Sequence, residues 1–191
     1  MKKYRTFIII MILIAIGVAY YYYLASKDKT VEKGADTEIS EVSKLVNKDL
    51  ENSYPATPRE VVELYSRMLT CFYGEKYSDE EFEKLASQSR LLFDEELNSQ
   101  NPYEDYIKNL ESEIKQYKEE KKKISTYIIE KSGDIEYKTF QSHFYAKVEC
   151  VYYIKGEGVT SRTLETYTLR KDETGKWRIL YWSLTPVEED E

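Results

Sequence analysis

The order of apolar and polar positions divides the chain into three regimes. From Phe7 to Leu24 apolar residues follow one another with no charged side chain, Gly17 is the one glycine, and the run closes on Tyr20, Tyr21, Tyr22 and Tyr23. From Glu38 to about Lys122 apolar positions recur every three or four residues, the period of helices with one buried face. From Ile124 to Thr185 they alternate, the period of strands.

The first regime predicts a transmembrane signal anchor. At about 1.5 Å per residue it would span roughly 27 Å, close to the hydrocarbon thickness of a bilayer. A helix satisfies its own backbone amides in lipid, and tyrosines suit the lipid–water boundary. Lys2, Lys3 and Arg5 precede the run and no acid does, which places the N-terminus in the cytoplasm and the rest outside the cell membrane. A cleaved signal peptide stays open beside this reading, because Gly17-Val18-Ala19 offers a small-x-small cleavage site. The expected organisation is a cytoplasmic end (1–6), an anchor (7–24), a tether (25–37), one α+β domain (38–187) and an acidic tail (188–191).

Four helices are expected in the second regime. The first covers Glu38 to Leu50. Thr57-Pro58-Arg59-Glu60 opens the second as a capping box with proline at the first helical position, and Val61, Val62, Leu64, Tyr65, Met68, Leu69 and Phe72 form its buried stripe up to Gly74. Ser78 and Glu81 open the third in the same way, with Tyr77 and Phe82 as a hydrophobic staple. Its stripe runs to Leu97, and Gln88-Ser89-Arg90 allows one helix or two. Asn101-Pro102 is expected to start the fourth, which reaches about Lys122 and presents Tyr103, Tyr106, Ile107, Leu110, Ile114 and Tyr117 to a sheet.

The third regime predicts an antiparallel sheet of about four strands: Ile124 to Lys131, His143 to Ile154, Val159 to Arg170 and Lys176 to Thr185, with Ile135 to Tyr137 as a short extra piece. Gly156-Glu157-Gly158 and Asp172-Glu173-Thr174-Gly175 supply the turns. Phe144, Ala146, Val148, Cys150, Tyr152 and Ile154 share the inward face of their strand. The last strand is apolar on both faces by strict alternation, with Trp177, Ile179 and Tyr181 on one and Leu180, Trp182 and Leu184 on the other. Trp182 on a second face motivates an expected protein partner or homodimer through the sheet.

Composition narrows the class of function. The net charge is −7; residues 1–26 carry +3 and no acid, so the remainder carries −10. That acidity argues against nucleic acid, which needs a basic patch. Cys71 and Cys150 lie among apolar neighbours and read as two buried thiols, with a disulfide as the alternative that export permits. One histidine and no CxxC pair leave too few ligands for a zinc site.

Helices first, then long antiparallel strands ending in Gly175-Lys176-Trp177-Arg178-Ile179, with Thr57-Pro58-Arg59-Glu60-Val61-Val62-Glu63-Leu64-Tyr65 opening the first long helix, resemble the NTF2-like (cystatin-like, ketosteroid-isomerase-like) superfamily over about residues 55 to 187. The resemblance implies a sheet curled into a cone whose mouth often holds a ligand. With its N-terminal run the whole chain also resembles a family of short single-pass exported proteins of Gram-positive bacteria, a likeness that implies no activity. One departure is visible: enzyme members place a hairpin between their helices, and no strand pair is read between Tyr54 and Ile124. Helices followed by an uninterrupted sheet are closer to the bitopic subunits of conjugation and type IV secretion machines.

Isomerase members of the superfamily use an aspartate base with a tyrosine or protonated acid as oxyanion donor, chemistry that needs a carboxylate of tuned pKa in a dry pocket. No matching motif is found. Glu149 alternates away from the core. Glu165 is the least conventional acid, sharing a face with Tyr167 and Leu169, and is expected near a solvated strand end. His143 begins a strand beside polar residues without a nucleophile, and Gly156 and Gly158 precede no helix, so they form no phosphate loop. No catalytic, cofactor-binding or metal-ligating residues are therefore assigned, and no cofactor. Fourteen of the nineteen tyrosines lie beyond the N-terminal run, a composition suited to sugar, peptide and protein contacts. The expected function is a membrane-anchored binding or assembly module of unknown ligand. The alternatives are a subunit of a secretion, conjugation or cell-envelope complex, and a small isomerase- or hydratase-type enzyme.

Overall fold

Thr57 and Ser78 fix where the helical layer begins. Each side-chain oxygen accepts from a backbone amide three residues on, and Glu60 and Glu81 reach back to the capping residues' own amides. Each box satisfies donors that helix geometry leaves orphaned, contributing about 1 kcal/mol. The computed structural model describes residues 40–185. The expected anchor at 7–24, the tether and the acidic tail lie outside the described residues, and among those described no helix is long and apolar enough to cross a membrane.

The helices are α1 (Glu41–Val46), α2 (Pro58–Gly74), α3 (Asp79–Arg90), α4 (Glu95–Gln100) and α5 (Tyr103–Glu119). The first is shorter than expected, and the third regular stripe is two helices. Arg90 ends α3, and Asp94 caps α4 by accepting from the Glu96 amide. Tyr77 and Phe82 stack at 6.0 Å as the expected staple. Asn101 does not cap α5. Its amide donates instead to the Leu97 carbonyl at the end of α4, and α5 starts at Pro102 with no side-chain cap.

The strands are β1 (Lys123–Ile129), β2 (Glu136–Phe140), β3 (His143–Lys155), β4 (Thr160–Lys171) and β5 (Trp177–Thr185), all paired antiparallel in the order β1-β3-β4-β5. β2 is a full fifth strand, longer than the expected piece. It pairs with the first half of β3 on the side where β1 pairs with the second half. Among the described residues the helices pack on one face of the curved sheet. Its inner face, with Ala146, Val148, Cys150, Tyr152, Tyr167, Leu169 and Ile179, shares one core with Val61, Val62, Tyr65, Met68 and Phe72 of α2. Phe144, expected inward, is exposed at the start of β3.

Strict alternation fails at two bulges, one on each outer strand. In β1, Ile124 pairs with Ile154 and Thr126 with Tyr153, leaving Ser125 extra; its hydroxyl donates to the Tyr153 carbonyl. In β5, Tyr181 pairs with Thr168 and Ile179 with Leu169, leaving Leu180 extra. An extra residue reverses the parity of everything after it and bends the strand. Trp182 therefore joins Trp177 and Ile179 on the helix side instead of occupying a second face. Its ring lies 5.8 Å from Tyr65, 6.0 Å from Phe93 and 6.1 Å from Tyr167. The bulge, rather than a second apolar face, sets the position of Trp182, which stays 38% exposed beside the exposed Tyr181 and Leu184.

The free side of β5 is partly covered. Asp94 donates its amide to the Ile179 carbonyl and Ile179 donates to the Leu92 carbonyl, each at 2.8 Å, as a single parallel bridge at Phe93. Arg170 clamps this segment by reaching both carboxylate oxygens of the buried Asp94, at 2.5 and 3.1 Å.

Candidate functional site

The bulge at Leu180 and the alternation of β4 bring Glu165, Tyr167 and Trp182 to the helix side of the sheet. Glu165 lies opposite Cys150 of β3 and Leu184 of β5, and Tyr167 lies opposite Val148 and Trp182. Tyr167 is wholly buried, with its ring edge-on to Tyr65 of α2 at 5.9 Å.

Four polar side chains run through this packing as one hydrogen-bonded chain. Tyr167 donates to Glu165 Oε2 at 2.6 Å. A phenol has one proton, so the 2.8 Å contact between the Tyr152 and Tyr167 hydroxyls makes Tyr152 the donor, and Ser66 donates to Tyr152 at 2.6 Å. The buried Cys150 thiol closes the far end, 3.7 Å from Ser66 Oγ. Every proton points toward the Glu165 carboxylate, so each bond polarises the next. The other carboxylate oxygen, Oε1, has no protein donor among the described residues.

Glu165 lines a cavity of about 230 Å³ between the sheet and the helices. The sheet contributes Glu165, Thr163, Tyr152 and Trp182. Tyr65, Leu69 and Tyr73 of α2 form a second wall, and α5 forms the third with Tyr106, Asn109, Leu110, Glu113 and Tyr117. Tyr73 and Tyr117, from the two helical walls, meet with ring centres 4.4 Å apart. The α5 helix, expected to pack its stripe on the sheet, fully buries Leu110 and Ile114 of that stripe and stands as a wall beside α2.

The walls set the electrostatics. Burial pushes the Glu165 carboxyl above the ordinary carboxylate range; the Tyr167 hydrogen bond opposes that, and the charge of Glu113 across the cavity adds to it. Burial likewise raises the Tyr65, Tyr152 and Tyr167 phenols well above their usual values and Tyr106 to about 12. The cavity is lined by tyrosines that remain neutral and by two acids. None of its lining residues, among those described, is Lys, Arg or His.

The residues weighed from the sequence fall as follows. Glu149 is exposed on the outer face, His143 is exposed with its ring against the Gln141 carbonyl, and neither joins the cavity. Cys71 and Cys150 are free buried thiols, raised by burial to about 12 and about 11. Glu165 corrects the expectation of a solvated strand end: it is partly buried at the cavity wall, because α5 stands away from the sheet there. Ser66, Tyr152 and Tyr167 were missed as a group. Their signal was a serine inside the apolar stripe of α2 and tyrosines on the inward faces of β3 and β4. Among the described residues no three His, Cys, Asp or Glu side chains come together as a metal would require.

This architecture, an acid-bearing cavity between a helical layer and a one-sided antiparallel sheet, defines an α+β protein with a built internal site. A family model matches residues 1–182, and the chain belongs to that family, described as a domain of unknown function (DUF6715). The match includes the apolar run at 7–24. No curated protein matches the chain.

Proposed function

We propose that the chain displays an NTF2-like ligand-binding module on the outer side of the cell membrane, held by the apolar run at 7–24. The observation that carries the binding reading is the cavity lined by Glu165: an open space walled largely by aromatic rings, beside a carboxylate with one oxygen unbonded among the described residues. Sites for small molecules are built this way, with apolar walls and few placed polar groups. The helices-then-sheet order and the curved sheet support the NTF2-like reading, and the basic residues before the run support the orientation. Catalysis of the isomerase type fits less well, because the Tyr167 hydroxyl that would serve as oxyanion donor is engaged by the acid itself.

Native mass spectrometry of the full chain, purified from membranes in a non-ionic detergent, tests the reading. A bound small molecule is expected on the wild-type protein and absent from an Asn109→Trp variant whose new ring fills the cavity. Equal retention by both proteins would place the ligand elsewhere.

A second reading, a subunit of an envelope assembly, is favoured by one observation. Tyr137, Phe140, Phe144 and Tyr181 are exposed toward one end of the sheet, each more than half accessible. Crosslinking in intact cells through Phe140 would recover another membrane protein under that reading and none under the first.

A further inference from the structure

We infer that the cavity takes an organic cation, a small protonated or quaternary amine, held between Glu165 and Glu113 with its apolar part against the tyrosine and tryptophan walls. This rests on the binding reading above and names the ligand class.

Three features of the cavity converge on a positive guest. Two carboxylates face it from opposite walls, Glu165 on β4 and Glu113 on α5, and no lining cation balances them among the described residues. Among the described residues the one donor to Glu165 is a neutral phenol, on Oε2, so this cavity-lining carboxylate keeps capacity for a charged hydrogen bond to a guest. The rest of the lining mixes aliphatic and amide side chains with Tyr73, Tyr106, Tyr117 and Trp182, aromatic rings of the kind that attract cations through their quadrupoles. An anion would meet two like charges. A neutral apolar guest would leave Glu165 desolvated with no compensation. At about 230 Å³ the space exceeds the roughly 150 Å³ that holds benzene in an engineered cavity, so an amine of eight to ten heavy atoms fits.

The tyrosine chain holds this receptor in place. Ser66, Tyr152 and Tyr167 point their protons at Glu165 and fix its orientation before a ligand arrives. The groups facing Glu165 are Tyr167 on its own strand, Tyr152 and Cys150 on β3, Tyr65 and Tyr73 on α2, and Tyr106, Glu113 and Tyr117 on α5. The phenols and the thiol keep their protons above the neutral range. With these groups neutral, the pH dependence of the site follows Glu165. Cation affinity rises as Glu165 ionises, and binding releases a proton near its titration point.

The test is a titration of the full chain in a non-ionic detergent with benzylammonium, benzyl alcohol and benzoate, three probes of one shape and three charges. The Trp182 indole resonance reports entry, with Trp177 as the internal control outside the cavity. The expected order is benzylammonium first, by at least about tenfold over benzyl alcohol, with benzoate weakest. Glu165→Gln should remove about tenfold of that preference and abolish its pH dependence; Glu113→Gln, on the cavity side of α5, should weaken it several-fold, with a urea midpoint close to the wild type's as the check on folding. Equal binding of benzylammonium and benzyl alcohol overturns the cation inference and leaves the binding reading standing. An unmoved Trp182 resonance with all three probes at millimolar concentration overturns both.

Discussion

Glu165 carries the sharpest residue-scale consequence. Its carboxyl titrates above the ordinary range because burial disfavours the charge, so the folded state binds its proton more tightly than the unfolded chain. Stability from this group is fully present below the unfolded value and falls as pH rises through the folded one. Glu165→Gln is therefore expected to match the wild type near pH 4 and to be the more stable protein at pH 8, as read from urea midpoints; a wild type that gains on the variant at pH 8 would contradict it. Tyr167→Phe acts in the other direction: it removes the bond that lowers the Glu165 pKa and the acceptor for Tyr152. The expected cost is about 1–2 kcal/mol, with a higher titration point for Glu165 by carbon-13 NMR. Both thiols, raised by burial, should resist iodoacetamide at pH 8 until denaturant is added. The position of Glu165 on an inward strand face was legible from its alternation with Tyr167 and Leu169. Its surroundings were not, because the space beside it depends on how far α5 stands from the sheet, which no single strand encodes.

At the scale of elements, the parts with local chemical signals were readable and those resting on cross-strand register were not. Thr57-Pro58-Arg59-Glu60 and Ser78-Asp79-Glu80-Glu81 announce helix starts because cap, proline and N3 glutamate act within four residues. Thr57→Ala should cost about 1 kcal/mol by urea denaturation. The bulges at Ser125 and Leu180 leave no such mark. They exist only as a mismatch of counts against β3 and β4, so Trp182 was assigned to the wrong face. Deleting Leu180 is expected to turn Trp182 and Leu184 outward and to cost about 3 kcal/mol or more, which a loss of the cooperative thermal transition would register. The β2–β3 turn was hidden for another reason. Gln141 and Ser142 both adopt left-handed backbone, φ 47° and 65°, at a two-residue hairpin that Asn-Gly would normally signal. Ser142→Gly should relieve that strain and stabilise by about 0.5–1 kcal/mol.

For the whole molecule, the order of elements supplied the α+β class, and the five-stranded sheet sits where the change of period placed it. The cavity emerged from assembly. It needs the parity change in β5 to bring in Trp182, the alternation of β4 to bring in Glu165, and the stand-off of α5 to leave room. The acidic remainder of the chain, −10 beyond residue 26, agrees with a receptor for positive guests and disfavours anionic surfaces. The central claim is that this cavity, rather than any outer surface, is where the protein meets its ligand. The direct measurement is nitrogen-15 shift mapping of the full chain in a non-ionic detergent against a small-fragment library. The account predicts that binding fragments move Trp182, Glu165, Tyr65 and Tyr117 together and leave Phe140 and Tyr181 unmoved. Fragments that cluster on Phe140, Phe144 and Tyr181, or shifts that never reach Trp182, would contradict it.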